Sequence, residues 1–338
     1  MRLLRMLLLP LALFGLGSLH ASAADPWLVL PGGEGPGKGK NIVLVSGDEE
    51  YRSEEALPQL AKILAKRHGF SCTVLFAIDR KDDSINPNQR DNIPGLEALD
   101  KADLMILFTR YRDLPDDQMK HIVDYVESGR PVVGMRTATH AFKLSSKTYA
   151  RFSSGSKEPG WDGGFGRQVL GEDWITHLGP NHKTSTHGVP VKGEENSPLL
   201  RGVKEGDLWA ASGEYAVRLP MQADCKPLVL GQVLDAEKPD AKPVEGKQND
   251  PLMPVAWTKV STRDDGKKTR AFCTTMGAGP DLVSEGVRRL IVNAAYWAVG
   301  MEEKIPEKAN VDLVGDYKPN EFNFNGFKKG MLPEDFAK

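Results

Sequence analysis

Cysteine is scarce in this chain: Cys72, Cys225 and Cys273 are the only three in 338 residues, odd in number and far apart. So low a count excludes a scaffold built on disulfides, and no CxxC pair offers a zinc site. Cys72 and Cys273 fall in strand-like runs where a buried free thiol is the ordinary state; one disulfide pairing stays open. An excess of basic charge is missing too. Lys and Arg number 44 against 46 Asp and Glu, a formal net charge of −2, so nothing marks nucleic acid as a partner. There is no Walker or GxGxxG sequence, no internal repeat and no low-complexity tract. The chain is long enough for one large domain or two ordinary ones.

The first 23 residues read as a leader. Arg2 and Arg5 make a basic start, residues 7–16 an apolar segment too short for a membrane anchor, and Ala21, Ser22 and Ala23 a small-residue cleavage signal. Processing after Ala23 implies export to the periplasm or the extracellular space, with no integral membrane segment left. No cysteine lies near the cleavage point, which argues against a lipoprotein. Removing Arg2 and Arg5 takes the formal charge from −2 to −4. Residues 24–40, rich in glycine, proline and lysine, read as a linker or surface arm. The main domain is expected over 41–303. A polar and aromatic tail over 304–338, with Tyr317, Phe322, Phe324 and Phe327, should pack on its surface.

Apolar periodicity places the elements. Strands are expected at 42–45, 72–77, 104–108 and 132–135, and helices from Ser53 to Gly69 and from Pro115 to Gly129. Pro58 should disturb the first turn of the first helix. Residues 79–94 read as a surface loop. This alternation of strand and helix implies right-handed crossovers and a parallel sheet. Residues 145–205, rich in Gly, His and Trp with little periodicity, read as functional loops. Further strands are expected at 228–234, 254–258 and 270–275, and a last helix over 281–299.

The segment from Pro131 to Phe142 carries the sharpest signal: a buried strand running into a tight turn with Arg136 at its tip. Strand ends in open α/β sheets are where chemistry is usually placed. An arginine there stays protonated and offers no lone pair. The end of the first strand, with Asp48, Glu49, Glu50 and Tyr51, should lie beside Arg136, Thr137 and His140. Together they suit a polar-ligand pocket. The competing reading of the three acids is that they are solvated side chains before a helix N-terminus.

His177, His182 and His187 recur at intervals of five, three of the six histidines that remain after His20 is removed. That spacing does not share a helix face, so a divalent-metal site would need loop geometry and a carboxylate from elsewhere; substrate hydrogen bonding is the other use. Ser212, Gly213, Glu214 and Tyr215 set an acid beside an aromatic ring, a combination suited to sugars. The segment 274–279 joins a strand to the last helix, and the helix start behind it could take an anion.

These pieces together resemble the ThuA-like (trehalose utilisation) family. They are the first strand with Gly47, the turn from Gly134 to Ala138, the stretch from Val169 to His177, Glu214 with Tyr215, the run Pro254 to Thr258, and the run Arg270 to Gly277. The resemblance spans roughly residues 40–300. It implies the class I glutamine-amidotransferase-like fold: α/β, a doubly wound, mostly parallel, flavodoxin-like sheet with long loop insertions. In class I glutamine amidotransferases the corresponding turn, Pro-x-x-Gly-x-Cys-x-Gly, holds the nucleophilic cysteine; here Arg136 stands in its place. Many relatives carry histidine at that position, so a general-base role there passes to His140. The family's Gly-Gly-x-Phe-x-x-His pattern reads here as Gly171 to Trp174 and on to His177, with the histidine retained.

The resemblance implies a role near carbohydrate metabolism, on oxidised (keto) sugars, with a small-molecule carbohydrate as partner. The leading expectation is an exported protein acting by acid/base chemistry as an isomerase or hydrolase. His140 or His177 would be the base, Glu214 the acid or a hydroxyl ligand, and Arg136 the holder of an anionic or keto oxygen. Asp48, Glu49, Tyr51, Thr137 and Tyr215 complete the substrate-binding set. The alternatives are a non-catalytic carbohydrate-binding module and a metal-dependent hydrolase using His177, His182 and His187. No cofactor is firmly implied, and a homo-oligomer stays open. Glutaminase activity is excluded, because no cysteine lies at the turn.

Overall fold

A computed structural model describes residues 25–204 and 206–337. The leader, with its cleavage point after Ala23, lies outside them. The expected linker contains a strand, β1 (Trp27–Leu30). It is followed by β2 (Asn41–Gly47), α1 (Ser53–His68), β3 (Ser71–Leu75), β4 (Leu104–Thr109), α2 (Asp116–Glu127) and β5 (Val132–Met135). Next come β6 (His177–Leu178), β7 (Ser185–Pro190), β8 (Trp209–Ala210), β9 (Glu214–Tyr215), β10 (Cys225–Leu234), β11 (Met253–Thr262), β12 (Lys268–Thr274) and α3 (Glu285–Ala298).

Ten of these strands form one sheet in the order β1-β3-β2-β4-β5-β12-β11-β10-β7-β8, while β6 and β9 pair separately. The middle, from β3 through β2, β4 and β5 to β12, is parallel. The flanks are antiparallel: β1 on β3, and the run from β12 through β11, β10 and β7 to β8. The sheet is therefore mixed, an α/β architecture with a parallel heart. The physical reason is connection length. A five-residue link, 263–267, returns the chain from β11 to β12 as a hairpin, whereas a parallel neighbour needs a crossover.

Alternate residues of the central strands feed two cores, as the two-residue side-chain period requires. Ile42 and Leu44 of β2, Ile106 and Phe108 of β4 and Val133 of β5 pack with α1 (Leu57, Leu60, Leu64) and α3 (Leu290, Ile291, Ala294). Val43, Val45, Met105, Leu107 and Val132 pack with Met119, Ile122 and Val123 of α2. These strands are apolar on both faces because both faces are covered. α1 runs unbroken through Pro58. Gly69 ends it in the left-handed conformation, its N–H donating to the Ala65 carbonyl.

Two expectations change. The last helix is not continuous over 281–299: Pro280–Val283 is a 3-10 turn, and α3 starts after Ser284, whose extended backbone interrupts the helix while its hydroxyl accepts from the Val287 N–H. The region 145–205 is not all loop, since β7 joins the main sheet between β10 and β8. The tail sends Phe322 and Phe327 to buried positions, and Tyr317 donates its hydroxyl to the Gly279 carbonyl at 2.7 Å. Among the described residues no helix is long and apolar enough to cross a membrane.

Beyond β5 the chain forms a 3-10 turn, Arg136–His140, which rests on a single π-helical turn, Gly166–Leu170. A methyl group on Gly166 would overlap the Thr139 carbonyl oxygen, a backbone atom that has no rotamer by which to escape. Gly166→Ala should therefore destabilise the protein by about 1–3 kcal/mol, read as a lower urea midpoint at unchanged slope. An unchanged midpoint would show that the two turns do not hold one another.

Candidate functional site

The site forms where β2, β4 and β5 end at the same edge of the sheet. Arg136, the first residue after β5, has φ +48°, a left-handed backbone that a non-glycine residue adopts only when its surroundings compel it. Its side chain is fully buried. The guanidinium lies between two tyrosine rings, 4.2 Å from the Tyr51 centroid and 4.0 Å from that of Tyr215. Nη1 donates to the carbonyls of Gly213 (2.5 Å) and Thr275 (2.7 Å). Nε and Nη2 make no hydrogen bond of ordinary geometry. Burial works against the charge, but Tyr215, Tyr51 and Asp281 outweigh it and hold the pKa above the usual arginine value. The side chain is a permanent cation with donors to spare.

The acids after β2 are not merely solvated. Asp48 is buried, accepts from the Glu50 N–H at 2.7 Å and from the Tyr51 N–H, and takes the Thr137 hydroxyl at 2.5 Å. It ties the β2 turn to the β5 turn. Burial and then the Glu49 charge raise its pKa, while these hydrogen bonds oppose the rise. Glu49 is held by Arg110 (2.5 Å) and Arg112 (2.6 Å) from the end of β4. Glu50 faces Asn181 (3.0 Å) and His182 (2.8 Å) from the loop before β7, with Arg110 at 3.5 Å. Burial opposes its ionisation, yet these donors and the Arg110 and Arg136 charges hold its pKa below the usual carboxylate value.

Around Arg136 stand two histidines and a set of rings. The Tyr51 hydroxyl lies 3.1 Å from His177 Nε2 and donates to Asn181 Oδ1 at 3.1 Å; burial pushes its pKa up to about 12. His177 packs edge-on to Tyr215, centroids 5.0 Å apart, and beside Trp174 at 5.8 Å. His140 is buried among Tyr111 (4.8 Å), Trp174 (5.4 Å) and Tyr215 (5.9 Å), with Nδ1 3.1 Å from the Thr139 hydroxyl. Burial, then the Arg136 charge, lower the His177 pKa to about 4. Burial, then Arg110 and Arg136, lower that of His140 well below its usual value. Both imidazoles are neutral near pH 7. Trp174 adds a second unpartnered donor, its buried Nε1.

The structure brings together Asp48, Glu49, Tyr51, Arg136, Thr137, His140, His177 and Tyr215. It does not bring in Glu214. Neighbours on a strand face opposite ways, and while Tyr215 faces Arg136, the Glu214 carboxylate lies over Gly231 and Val255, where a side chain on Gly231 would overlap it. Burial pushes this carboxyl up to about 8. The three loop histidines do not form one ligand set either. His177 meets Tyr51, His182 meets Glu50, and His187 sits in β7 opposite Gln232 and Trp209. Among the described residues no group of three or more His, Cys, Asp or Glu side chains stands ready to hold a metal ion. The turn 274–279 already serves an anion of its own: Asp281 accepts from the N–H groups of Gly277 (2.8 Å) and Ala278 (2.9 Å) and from Ser212.

Sequence reading missed Arg110, Arg112, Asn181, Trp174 as a site wall, and Asp281. Arg110 and Arg112 follow β4 directly, so the strand-end rule applied to β2 and β5 would have found them. The tail also reaches the site. Phe322 packs on Tyr51 and His182, each at 5.3 Å, the Asn323 carbonyl accepts from Arg52 at 2.9 Å, and Phe324 lies 5.1 Å from the Arg110 guanidinium.

The family model described as trehalose utilisation, ThuA, matches residues 41–298. Among solved structures, a ThuA-like protein from Parabacteroides merdae is 14% identical over 88% of this chain and 99% of its own, with a TM-score of 0.44. The N-terminal domain of mmIFT52 is 12% identical over 77% of this chain and 97% of its own, with a TM-score of 0.39. No curated protein matches the chain.

Glu214 gives a stability test. Its folded pKa lies above the ordinary value of 4.5, at about 8. Between those values the native state keeps a proton that the unfolded state has lost, so this group's contribution to stability falls as pH rises. Glu214→Gln removes the effect. The variant should gain on the wild type from about pH 5 to about pH 8, by at most about 1.4 kcal/mol per pH unit, measured by urea unfolding at several pH values. A constant difference across that window would place the carboxyl in water.

Proposed function

The chain belongs to the ThuA (trehalose utilisation) family, and from that premise we propose that it binds and acts on a sugar or keto-sugar derivative at the edge formed by β2, β4 and β5. The observation that carries this reading is Arg136: a fully buried guanidinium, clamped by two rings and two carbonyls, with Nε and Nη2 making no hydrogen bond of ordinary geometry. A buried charged donor without a partner is costly, and a carbonyl or enediolate oxygen of a ligand supplies what it lacks. The rings of Trp174 and Tyr215 suit the C–H face of a sugar, and Arg110 and Asn181 suit its hydroxyls.

The proposed chemistry is proton transfer beside a carbonyl. Arg136 polarises the oxygen and stabilises the charge that develops on it. His177, neutral and hydrogen-bonded to Tyr51, takes the proton. His140, buried between Tyr111 and Trp174, is the second candidate base. Glu214 has no part, because its carboxylate lies against Gly231. The outcome fits an isomerase or an elimination better than a hydrolase that works through a covalent intermediate, since no nucleophile stands at the β5 turn. Export with cleavage after Ala23 belongs to the same proposal.

Turnover of keto-glycosides by His177→Ala and His140→Ala is the direct test. Loss of one true base should lower kcat by about 10²–10⁴-fold, and unchanged turnover in both variants would end the acid/base proposal. The base is lost by protonation as pH falls through the His177 pKa of about 4. The acid limb of kcat/KM should therefore lie near pH 4 rather than near 6.5, the ordinary histidine value. Binding of the same glycosides with no turnover in the wild type would leave a sugar-binding protein. For export, intact-mass measurement of secreted protein should find Ala24 at the N-terminus, and a retained leader would refute it.

A further inference from the structure

Three side chains, Glu50, Asn181 and Tyr51, link the acid cluster to His177 through bonds whose directions are not free. Glu50 Oε1 receives both Asn181 Nδ2 at 3.0 Å and His182 Nε2 at 2.8 Å, and Arg110 stands 3.5 Å from Oε2. An oxygen that takes two donors acts as a carboxylate, which only accepts. The amide of Asn181 must then turn its NH₂ toward Glu50 and its Oδ1 toward Tyr51. The Tyr51 hydroxyl, 3.1 Å from that oxygen, must donate to it. A phenol has one proton. Having spent it on Asn181, Tyr51 can only accept from its other neighbour, His177 Nε2 at 3.1 Å. Nε2 therefore carries the imidazole proton.

We propose that Glu50 and Asn181 are positioning residues that hold His177 as its Nε2–H tautomer, which leaves the Nδ1 lone pair as the open base of the site. Nδ1 makes no hydrogen bond among the described residues. The reverse arrangement, with Tyr51 donating to His177, would turn Asn181 Oδ1 toward the Glu50 carboxylate and set acceptor against acceptor. His182, anchored to the same carboxylate oxygen and packed on Phe322 of the tail, holds Glu50 in place. A hydrogen bond at one imidazole nitrogen decides the role of the other, and here that decision is taken three residues away. The inference deepens the reading of His177 as base and rests on it only for the use made of the lone pair.

The test is a long-range nitrogen–proton correlation spectrum of the isotopically labelled full chain, without ligand, at about pH 7. His177 is assigned by the signals lost in His177→Gln. The expected pattern is Nδ1 at the position of a bare imidazole nitrogen and Nε2 at that of a protonated one. The reverse pattern, or two averaged signals, would overturn the proposal. In Asn181→Leu the Tyr51 proton is freed, and the single-tautomer pattern should give way to averaged or reversed signals; an unchanged pattern would remove Asn181 from the chain. If that variant does not fold, the isosteric Glu50→Gln carries the same expectation, because its amide can donate to Asn181 and reverse the sequence of bonds. No turnover is read, so failure of the sugar proposal leaves this result intact, and the reverse also holds.

Discussion

Everything at the sheet edge is arranged around a charge that has been taken out of water. Burying a guanidinium costs several kcal/mol unless partners replace its hydration. Arg136 has two carbonyls on Nη1 and the faces of Tyr51 and Tyr215 on either side, each ring adding roughly 0.5–2 kcal/mol. These partners come from three separate stretches: the turn after β2, the segment around β9, and the turn after β12. The charge thus ties together three loops that also send Tyr51, Ala211 and Met276 into the hydrophobic core. Asp281 completes the arrangement. By clamping Ser212 to the N–H groups of Gly277 and Ala278, it sets the two loops whose carbonyls reach Arg136.

A second consequence is electrostatic order among the acids. Three carboxylates in a row would repel one another, and each is given its own set of partners, with Arg110 shared between Glu49 and Glu50. Asp48 is turned inward to backbone N–H groups and Thr137, Glu49 outward to Arg110 and Arg112, and Glu50 toward Asn181 and His182. Glu50 is linked through Asn181 and the Tyr51 hydroxyl to His177. The same positive field that steadies the acids keeps both imidazoles uncharged, because Arg110 and Arg136 add to the burial that already disfavours an imidazolium.

The central strands and the three long helices were legible because their apolar spacing has a period and a length that no other element shares. β4 is apolar from Leu104 to Phe108, β5 is buried throughout, and α2 keeps Met119, Ile122 and Val123 at helical spacing. β1 was hidden by the glycines and prolines after it, since four residues alternate too briefly to be told from an arm. β7 was hidden by its composition: Ser185, Thr186, His187 and Gly188 show no apolar alternation, and pairing with β10 and β8 makes them a strand. At the site, Arg136, His140 and Tyr51 were legible because they sit at the ends of legible strands. Asn181 was not, because its place depends on a loop whose path follows from Glu50 and Tyr51. Glu214 was misplaced for a related reason. A two-residue strand carries no period, so nothing in the sequence says that its acid and its ring face opposite ways.

Arginine at the β5 turn also changes what kind of chemistry the edge can support. A cysteine there would be an electron-pair donor, and its neighbours would be needed to raise its nucleophilicity. A guanidinium is the opposite, a fixed electron-pair acceptor that cannot attack and cannot lose its proton at any working pH. In the proposed reaction it would hold an oxygen on which negative charge collects, which would lower the cost of removing a proton from the adjacent carbon. That use requires a base that stays unprotonated beside a cation, a condition under which an ordinary surface histidine near its pKa is half lost. His177 meets it because burial and Arg136 itself keep the imidazole neutral. The residue proposed to polarise the oxygen would therefore also prepare the proposed base.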